Sequence, residues 1–162
     1  MHKKLLLFLV IAATCVSMGA YYRSEPLVLS AAKPLAPVEL TWKALTDVQF
    51  KEVYISELDA YYWKPTFGPQ VKAMEGKEVY ITGYVIPVDI DDNFYVVSRY
   101  PYANCFFCGG GGPESVVDLQ FAGKNRQYRT DERLTFKGKL KLNADDIYQM
   151  NYILNGAVEY VP

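Results

Sequence analysis

Two cysteines in one short segment are the residues of this sequence best suited to chemistry. Cys105 and Cys108 enclose Phe106 and Phe107, and the glycine run Gly109–Gly112 follows them. A Cys-x-x-Cys pair forms a disulfide in an oxidising compartment, supplies half of a metal site, or works as a thiol–disulfide redox pair. Simple burial of both side chains is a fourth interpretation. The residues themselves leave all four open.

The metal interpretation assigns Cys105 and Cys108 as thiolate ligands of Zn²⁺ or Cu(I). The chain has a single histidine, His2, and no second Cys-x-x-Cys pair. A complete site then needs carboxylates, water or a second molecule. We predict Glu114 as the third ligand, with Asp118 as the alternative carboxylate. We expect the glycines to make this segment a mobile turn that opens and closes around the ion.

Several kinds of catalysis are excluded or disfavoured by the residue types present. Because the only histidine lies in the predicted leader, no Ser-His or Cys-His catalytic pair is available. A thioredoxin-like role needs a helix beginning at the first cysteine within a βαβ pattern, and glycines follow the cysteines here instead. The glycine run also lacks the Lys-Ser/Thr of a phosphate-binding loop. We therefore predict no catalytic residues and no organic cofactor.

The first twenty residues determine the expected compartment. A positively charged start and the apolar run Leu5–Ala13 precede small residues that end at Gly19. This arrangement is typical of a secretory signal peptide, so we predict that residues 1–19 are removed. Lipidation of Cys15, or retention of residues 5–22 as an anchor, are the alternatives. The protein is expected to be exported, either periplasmic or attached to the outer face of the inner membrane.

The charge balance disfavours nucleic acid as a partner. The chain of 162 residues has 17 basic and 18 acidic side chains, and loss of residues 1–19 removes two lysines, leaving 17 − 2 = 15 against 18. A mildly acidic domain has no electrostatic attraction to nucleic acid. We interpret the alternating Lys137, Lys139 and Lys141 as the solvent face of a strand. Membrane contact is expected only through a retained anchor or a lipid.

The elements that must position these residues are mainly strands. Residues 20–40 contain three prolines and predict an extended linker, so that the domain spans 41–162. Short helices are expected near 42–48 and 70–75. Alternating or two-sided apolar runs predict five strands, at 78–89, 94–100, 115–121, 134–142 and 152–161. Five strands with little helix predict a small closed β-barrel of the OB type, with a sandwich as the alternative.

The same runs predict the side chains that fill the barrel. The predicted core comprises Val79, Ile81, Val85, Val96, Val117, Leu119, Phe136, Leu140, Leu154 and Val158. Gly83, inside the first strand, predicts a sharp bend or a close approach of another segment.

A family resemblance rests on a few short segments. They are Glu75-Gly76-Lys77, Val79–Pro87, the turn at Cys105, Gly138–Leu140 and Tyr152–Leu154. From about residue 42 onward the chain resembles an exported bacterial domain-of-unknown-function family with an OB-like barrel, often encoded beside ABC-exporter permeases. In that family the turn has Cys-x-His followed by prolines, whereas here a second cysteine and glycines stand there. The resemblance implies a membrane transport complex as partner.

These observations lead to one hypothesis and two alternatives. We expect an exported, non-enzymatic binding or accessory module that works with a membrane transport complex and whose Cys-x-x-Cys turn contacts a soft metal ion or a partner. A thiol–disulfide redox protein is the first alternative. A purely structural domain with a disulfide-stapled loop is the second.

Overall fold

The structure is a computed structural model and describes residues 36–162. The predicted signal peptide and most of the predicted linker lie outside these residues. Within 36–162, no helix is long and apolar enough to cross a membrane.

The described chain is mainly β. In order, its elements are β1 (Val38–Glu39), α1 (Trp42–Leu45), β2 (Val48–Ile55), β3 (Ala60–Phe67), α2 (Pro69–Lys72), β4 (Glu78–Asp89), β5 (Phe94–Ser98), β6 (Val116–Phe121), β7 (Arg133–Leu142) and β8 (Tyr152–Glu159). Three short 3₁₀ turns, Tyr102–Asn104, Phe106–Cys108 and Pro113–Ser115, lie between β5 and β6.

Five of these strands close into a barrel. Their order is β4-β5-β6-β8-β7, and β7 returns to pair with β4. The β6–β8 pair is parallel and the other four pairs are antiparallel. The prediction of a mainly β chain with a small closed barrel is confirmed, and the strand number is that of an OB-type barrel. Closure gives every barrel strand two hydrogen-bonded neighbours within the barrel, and β4 also pairs with β1.

Nine of the ten predicted core residues are buried, but they do not all fill the barrel. Val96 lies on the outside of the barrel wall, in a second small cluster under the cysteine loop. The prediction for Val158 was wrong, because its side chain is 39 % exposed. Gly156, with φ of +67°, forms a bulge at which the pairing register of β8 shifts. The inward and outward alternation slips there by one residue, so that Ala157 points inward instead.

The fold begins before the predicted domain boundary. Val38 and Glu39 pair in parallel with β4, and Leu40 is buried in the core, so the last residues of the predicted linker belong to the domain. The indole N–H of Trp42 donates to the Thr82 carbonyl oxygen at 2.8 Å, which seats α1 against β4. A Cβ at Gly83 would lie 2.9 Å from the Trp42 ring, so the predicted close approach is confirmed.

A hairpin formed by β2 and β3 lies outside the barrel sheet and was not predicted. Its strands pair with each other over their whole length, and Val48, expected on a helix, begins the first of them. The hairpin is joined to the loop between β7 and β8 by an ion pair from Lys64 to Asp145 at 2.9 Å. The Tyr62 hydroxyl accepts the Asn151 amide N–H at 3.4 Å, which places β3 beside that loop.

Candidate functional site: an aromatic groove beside the cysteine loop

The loop from β5 to β6 presents the two cysteines from one tight turn. The Cys105 carbonyl oxygen accepts the N–H groups of Cys108 and Gly110, each at 3.1 Å. This turn is the 3₁₀ segment Phe106–Cys108, which begins directly after Cys105. At its far end, the Ser115 hydroxyl donates to the Gly112 carbonyl oxygen at 2.6 Å and closes the loop.

The glycines of this loop are needed for close packing. A Cβ at Gly110 would lie 2.5 Å from the Asn104 carbonyl oxygen and 2.8 Å from the Asn104 Cα. A backbone neighbour cannot move aside as a flexible side chain would. Gly109 has φ of +77°, where any other residue is strained. Packing and backbone conformation therefore require these glycines, a role that the prediction of a mobile turn missed.

The two cysteines have different surroundings. Cys105 is fully buried with Ile86, Val96 and Val116 on the outer face of the barrel. Cys108 is exposed, and the two thiols are free, with no disulfide between them. Desolvation, together with the hydrogen bond to Cys105, raises the pKa of the Cys108 thiol. A redox nucleophile needs the opposite shift, toward thiolate, so this environment weighs against the redox alternative.

The predicted carboxylate ligand Glu114 does not join the two thiols. Its carboxylate turns back onto Gly112, and its charge acts on Tyr152, whose pKa is raised mainly by burial and further by Glu114. In the part of the chain that the structure describes, no three His, Cys, Asp or Glu side chains converge as a metal-binding group. The structure therefore brings Cys105 and Cys108 together and leaves Glu114 apart from them.

Asp118, the alternative carboxylate, also remains outside the thiol pair. It is buried on β6, and desolvation raises its pKa, while the Gln120 amide donates to it at 3.3 Å. Within residues 36–162 it forms no group of three potential ligands with the two cysteines.

A groove of about 480 Å³ opens beside the cysteine loop, between that loop, the hairpin and the segment before β8. Five of its lining residues are aromatic and none is charged. The ten lining residues are Tyr61, Tyr62, Trp63, Phe106, Pro113, Ile147, Tyr148, Gln149, Met150 and Asn151. The sequence shows the aromatics at 61–63 as a cluster, but only the fold brings them to the cysteine loop.

The groove walls are unusually open to solvent for aromatic side chains. Tyr148 is 83 % exposed, Tyr61 68 % and Trp63 54 %. Large apolar side chains that cluster at the surface mark binding sites more often than isolated ones do. The class of protein defined by the fold and the site is therefore a small β-barrel with an uncharged aromatic groove and an adjoining dithiol loop.

Comparisons with known proteins show one likeness, and it concerns the fold. No model of a known protein family matches the sequence, and no curated protein matches it. A crystal structure of a DUF3299 family protein from Pseudomonas aeruginosa PAO1 is similar, with 19 % identity and a TM-score of 0.50. The match covers 79 % of this chain and 99 % of that one. The solved fold that this chain resembles thus belongs to a domain-of-unknown-function family, and at this identity the likeness is one of fold alone.

Proposed function

We propose that this protein is an exported, non-enzymatic binding module that holds an extended, uncharged segment of a membrane transport protein in its aromatic groove. The observation that supports this proposal most directly is the lining of the groove. Its residues combine aromatic rings, a proline and amide side chains without a single charge. A charged segment would lose its hydration there without gaining a partner of opposite charge.

The strand at the groove wall supports an extended occupant. Side chains of successive strand residues point to opposite faces, yet three successive residues of β3, 61–63, line the groove. The edge of β3 therefore runs along the groove. Among residues 36–162, the backbone of β3 pairs only with that of β2, so this edge has unpaired backbone groups. A peptide can add to such an edge as a further strand, with its side chains held by the aromatic rings.

The cysteine loop is the second functional part of the proposal. Phe106 lies between the two cysteines in sequence and also lines the groove. We propose that Cys105 and Cys108 bind one soft metal ion, Zn²⁺ or Cu(I), through both thiolates. The position of both cysteines in one tight turn supports this, since a Cys-x-x-Cys turn can present two thiolates to one ion. Binding there would change the loop that forms one wall of the groove.

The compartment and the partner rest on the sequence. Export follows from the predicted signal peptide, and the link to a transport complex follows from the family resemblance. Mass measurement of the protein from its native cells tests the first point. A chain that begins at Ala20 supports cleavage, whereas an intact Met1 or a lipidated Cys15 contradicts it.

Peptide binding tests the groove. Two capped ten-residue peptides serve as probes, one uncharged and rich in Pro, Tyr and Val, the other with Glu and Lys at alternate positions. The fluorescence of Trp63, which is in the groove, reports binding. We expect saturable binding of the uncharged peptide, and binding of the charged peptide that is weaker by about tenfold or more, equivalent to about 1.4 kcal/mol.

A matched pair of variants shows whether binding occurs at this site. Tyr148→Ser removes the most exposed wall of the groove and should weaken binding about tenfold. Tyr102→Ser removes a 50 % exposed ring that does not line the groove and should leave binding unchanged. Equal loss in both variants, or no binding of either peptide to the wild type, would contradict the proposal.

Photo-crosslinking in the native bacterium tests the partner. A crosslinking residue at position 148 should capture a subunit of a membrane transport complex, and the same residue at position 102 should not. The same products from both positions, or products without a transport subunit, would contradict the partnership.

A further inference from the structure

A third sulfur-containing side chain packs against the small buried cluster that includes Cys105. Met150 packs against the small cluster that contains Cys105, together with Phe94 and Phe106. Met150 also lines the aromatic groove, so its side chain lies where the groove meets the cysteine loop. Its position is defined by its own segment, because the Asn143 amide donates to the Met150 carbonyl oxygen at 3.3 Å.

The residues packed around the Cys105 thiol are apolar. The buried neighbours of Cys105 are Ile86, Val96 and Val116, which contain no metal ligands. No histidine occurs after residue 2, and Glu114 and Asp118 do not converge with the thiols. Zn²⁺ in proteins requires four ligands in a tetrahedron, usually from thiolate, imidazole or carboxylate groups. Thiolate and thioether sulfur are the ligands that Cu(I) prefers.

We infer that Met150 supplies a thioether as the third ligand, and that Cys105, Cys108 and Met150 form a three-sulfur site selective for Cu(I) over Zn²⁺. This inference rests on the proposed metal-binding role of the two cysteines and specifies its ligand set and its ion. Methionine suits this role because its unbranched side chain adapts to an irregular gap with little strain. The exposed side of the turn, at Cys108, provides the entry path.

The site also connects the two functional parts of the molecule. Both Phe106 and Met150 pack against the small buried cluster that contains Cys105, and both line the groove. Drawing Met150 toward an ion therefore moves one wall of the groove. We expect bound Cu(I) to change the affinity of the groove for the uncharged peptide, and the peptide to change the affinity for Cu(I) by the same factor.

Competition for Cu(I) tests the ligand set. The reduced wild-type protein is titrated anaerobically with Cu(I) in the presence of a chromogenic Cu(I) chelator, and separately with Zn²⁺. Met150→Leu keeps the volume and apolar character of the side chain but removes the sulfur. It should weaken Cu(I) binding about tenfold or more and leave Zn²⁺ binding unchanged. Met74→Leu, in the main core and away from the loop, is the matched control and should bind as the wild type does.

The outcomes separate this inference from the proposed function. Cys108→Ser replaces an exposed thiol and should abolish binding without unfolding the protein. If Cys108→Ser binds Cu(I) as the wild type does, the metal-binding role of the cysteines is refuted. If Cys108→Ser loses binding but Met150→Leu retains full affinity, only the third ligand is refuted. X-ray absorption of the Cu(I) protein should show three sulfurs at the metal, and two would also overturn the inference.

Discussion

Truncation of Phe136 tests how the barrel is filled. Phe136 is fully buried on β7, and its ring packs against those of Phe121 and Tyr128, with centroids 6.2 and 5.5 Å away. The substitution Phe136→Ala removes a buried ring and leaves a cavity that closed strands cannot collapse around. Such a change typically lowers the free energy of unfolding by about 3–5 kcal/mol.

Two features of the site place the expected value in the upper part of this range. The ring has two aromatic neighbours, and each aromatic pair contributes about 0.5–1.5 kcal/mol beyond burial. The strand is also held on both sides, by β4 and β8, so that the backbone has little freedom to relax. We therefore expect a loss of about 4–5 kcal/mol, a large part of the 5–15 kcal/mol that stabilises a typical domain.

Urea unfolding followed by circular dichroism measures this loss. The control is Val158→Ala, at the residue whose exposure the β8 bulge explains, and its free energy of unfolding should stay within about 0.5 kcal/mol of the wild type. A loss below about 1 kcal/mol for Phe136→Ala would refute the argument, because a ring that matters so little is not buried. A loss for Val158→Ala equal to that for Phe136→Ala would refute the register shift in β8.

Three further predictions concern the loop, the surface charges and a buried hydroxyl. Gly110→Ala should destabilise the protein by about 1–3 kcal/mol, because the added methyl group overpacks against the backbone. Gly123 has open space around it, so Gly123→Ala should be neutral in the same unfolding assay. Equal effects of the two substitutions would contradict the packing argument. Arg126 and a backbone N–H lower the pKa of Glu132 from 4.5 to about 2, so its contribution to stability is present above pH 4.5 and is lost as the pH falls toward 2. Unfolding curves at a series of pH values should show less acid sensitivity for Glu132→Gln than for the wild type over that interval, and identical pH dependence would contradict this. The Tyr152 hydroxyl donates to a buried carbonyl oxygen of α1 at 2.7 Å. Tyr152→Phe should therefore lower the free energy of unfolding by about 1–3 kcal/mol. A neutral effect on the urea midpoint would show that the carbonyl oxygen finds another partner.

The barrel strands could be predicted because their signal is local. In β4 a run of β-branched and aromatic residues on both faces predicted a strand, and its predicted bounds, Glu78 and Asp89, agree with the structure. The hairpin could not be predicted in this way. Its strands contain Pro65 and exposed aromatics, and they alternate only weakly between polar and apolar residues. They pair because β3 packs against the β7–β8 loop, a contact more than 80 residues away in sequence.

The candidate site, too, could be predicted only in part from the sequence. The spacing of Cys105 and Cys108 determined by itself that two thiols share one turn, because two intervening residues cannot separate them widely. The sequence could not determine that Cys105 is buried and Cys108 exposed, or that Glu114 turns away from both. Those outcomes depend on how the loop packs onto the outer face of β5 and β6.

The positions of the five barrel strands along the chain and the presence of a dithiol turn were thus determined by the sequence, since each depends on neighbours along the chain. The aromatic groove was decided only by the tertiary structure. Its walls come from residues 61–63, Phe106, Pro113 and residues 147–151, which are brought together by barrel closure and by the docking of the hairpin. No local sequence pattern shows which distant segments come into contact, because those contacts depend on the packing of the whole core.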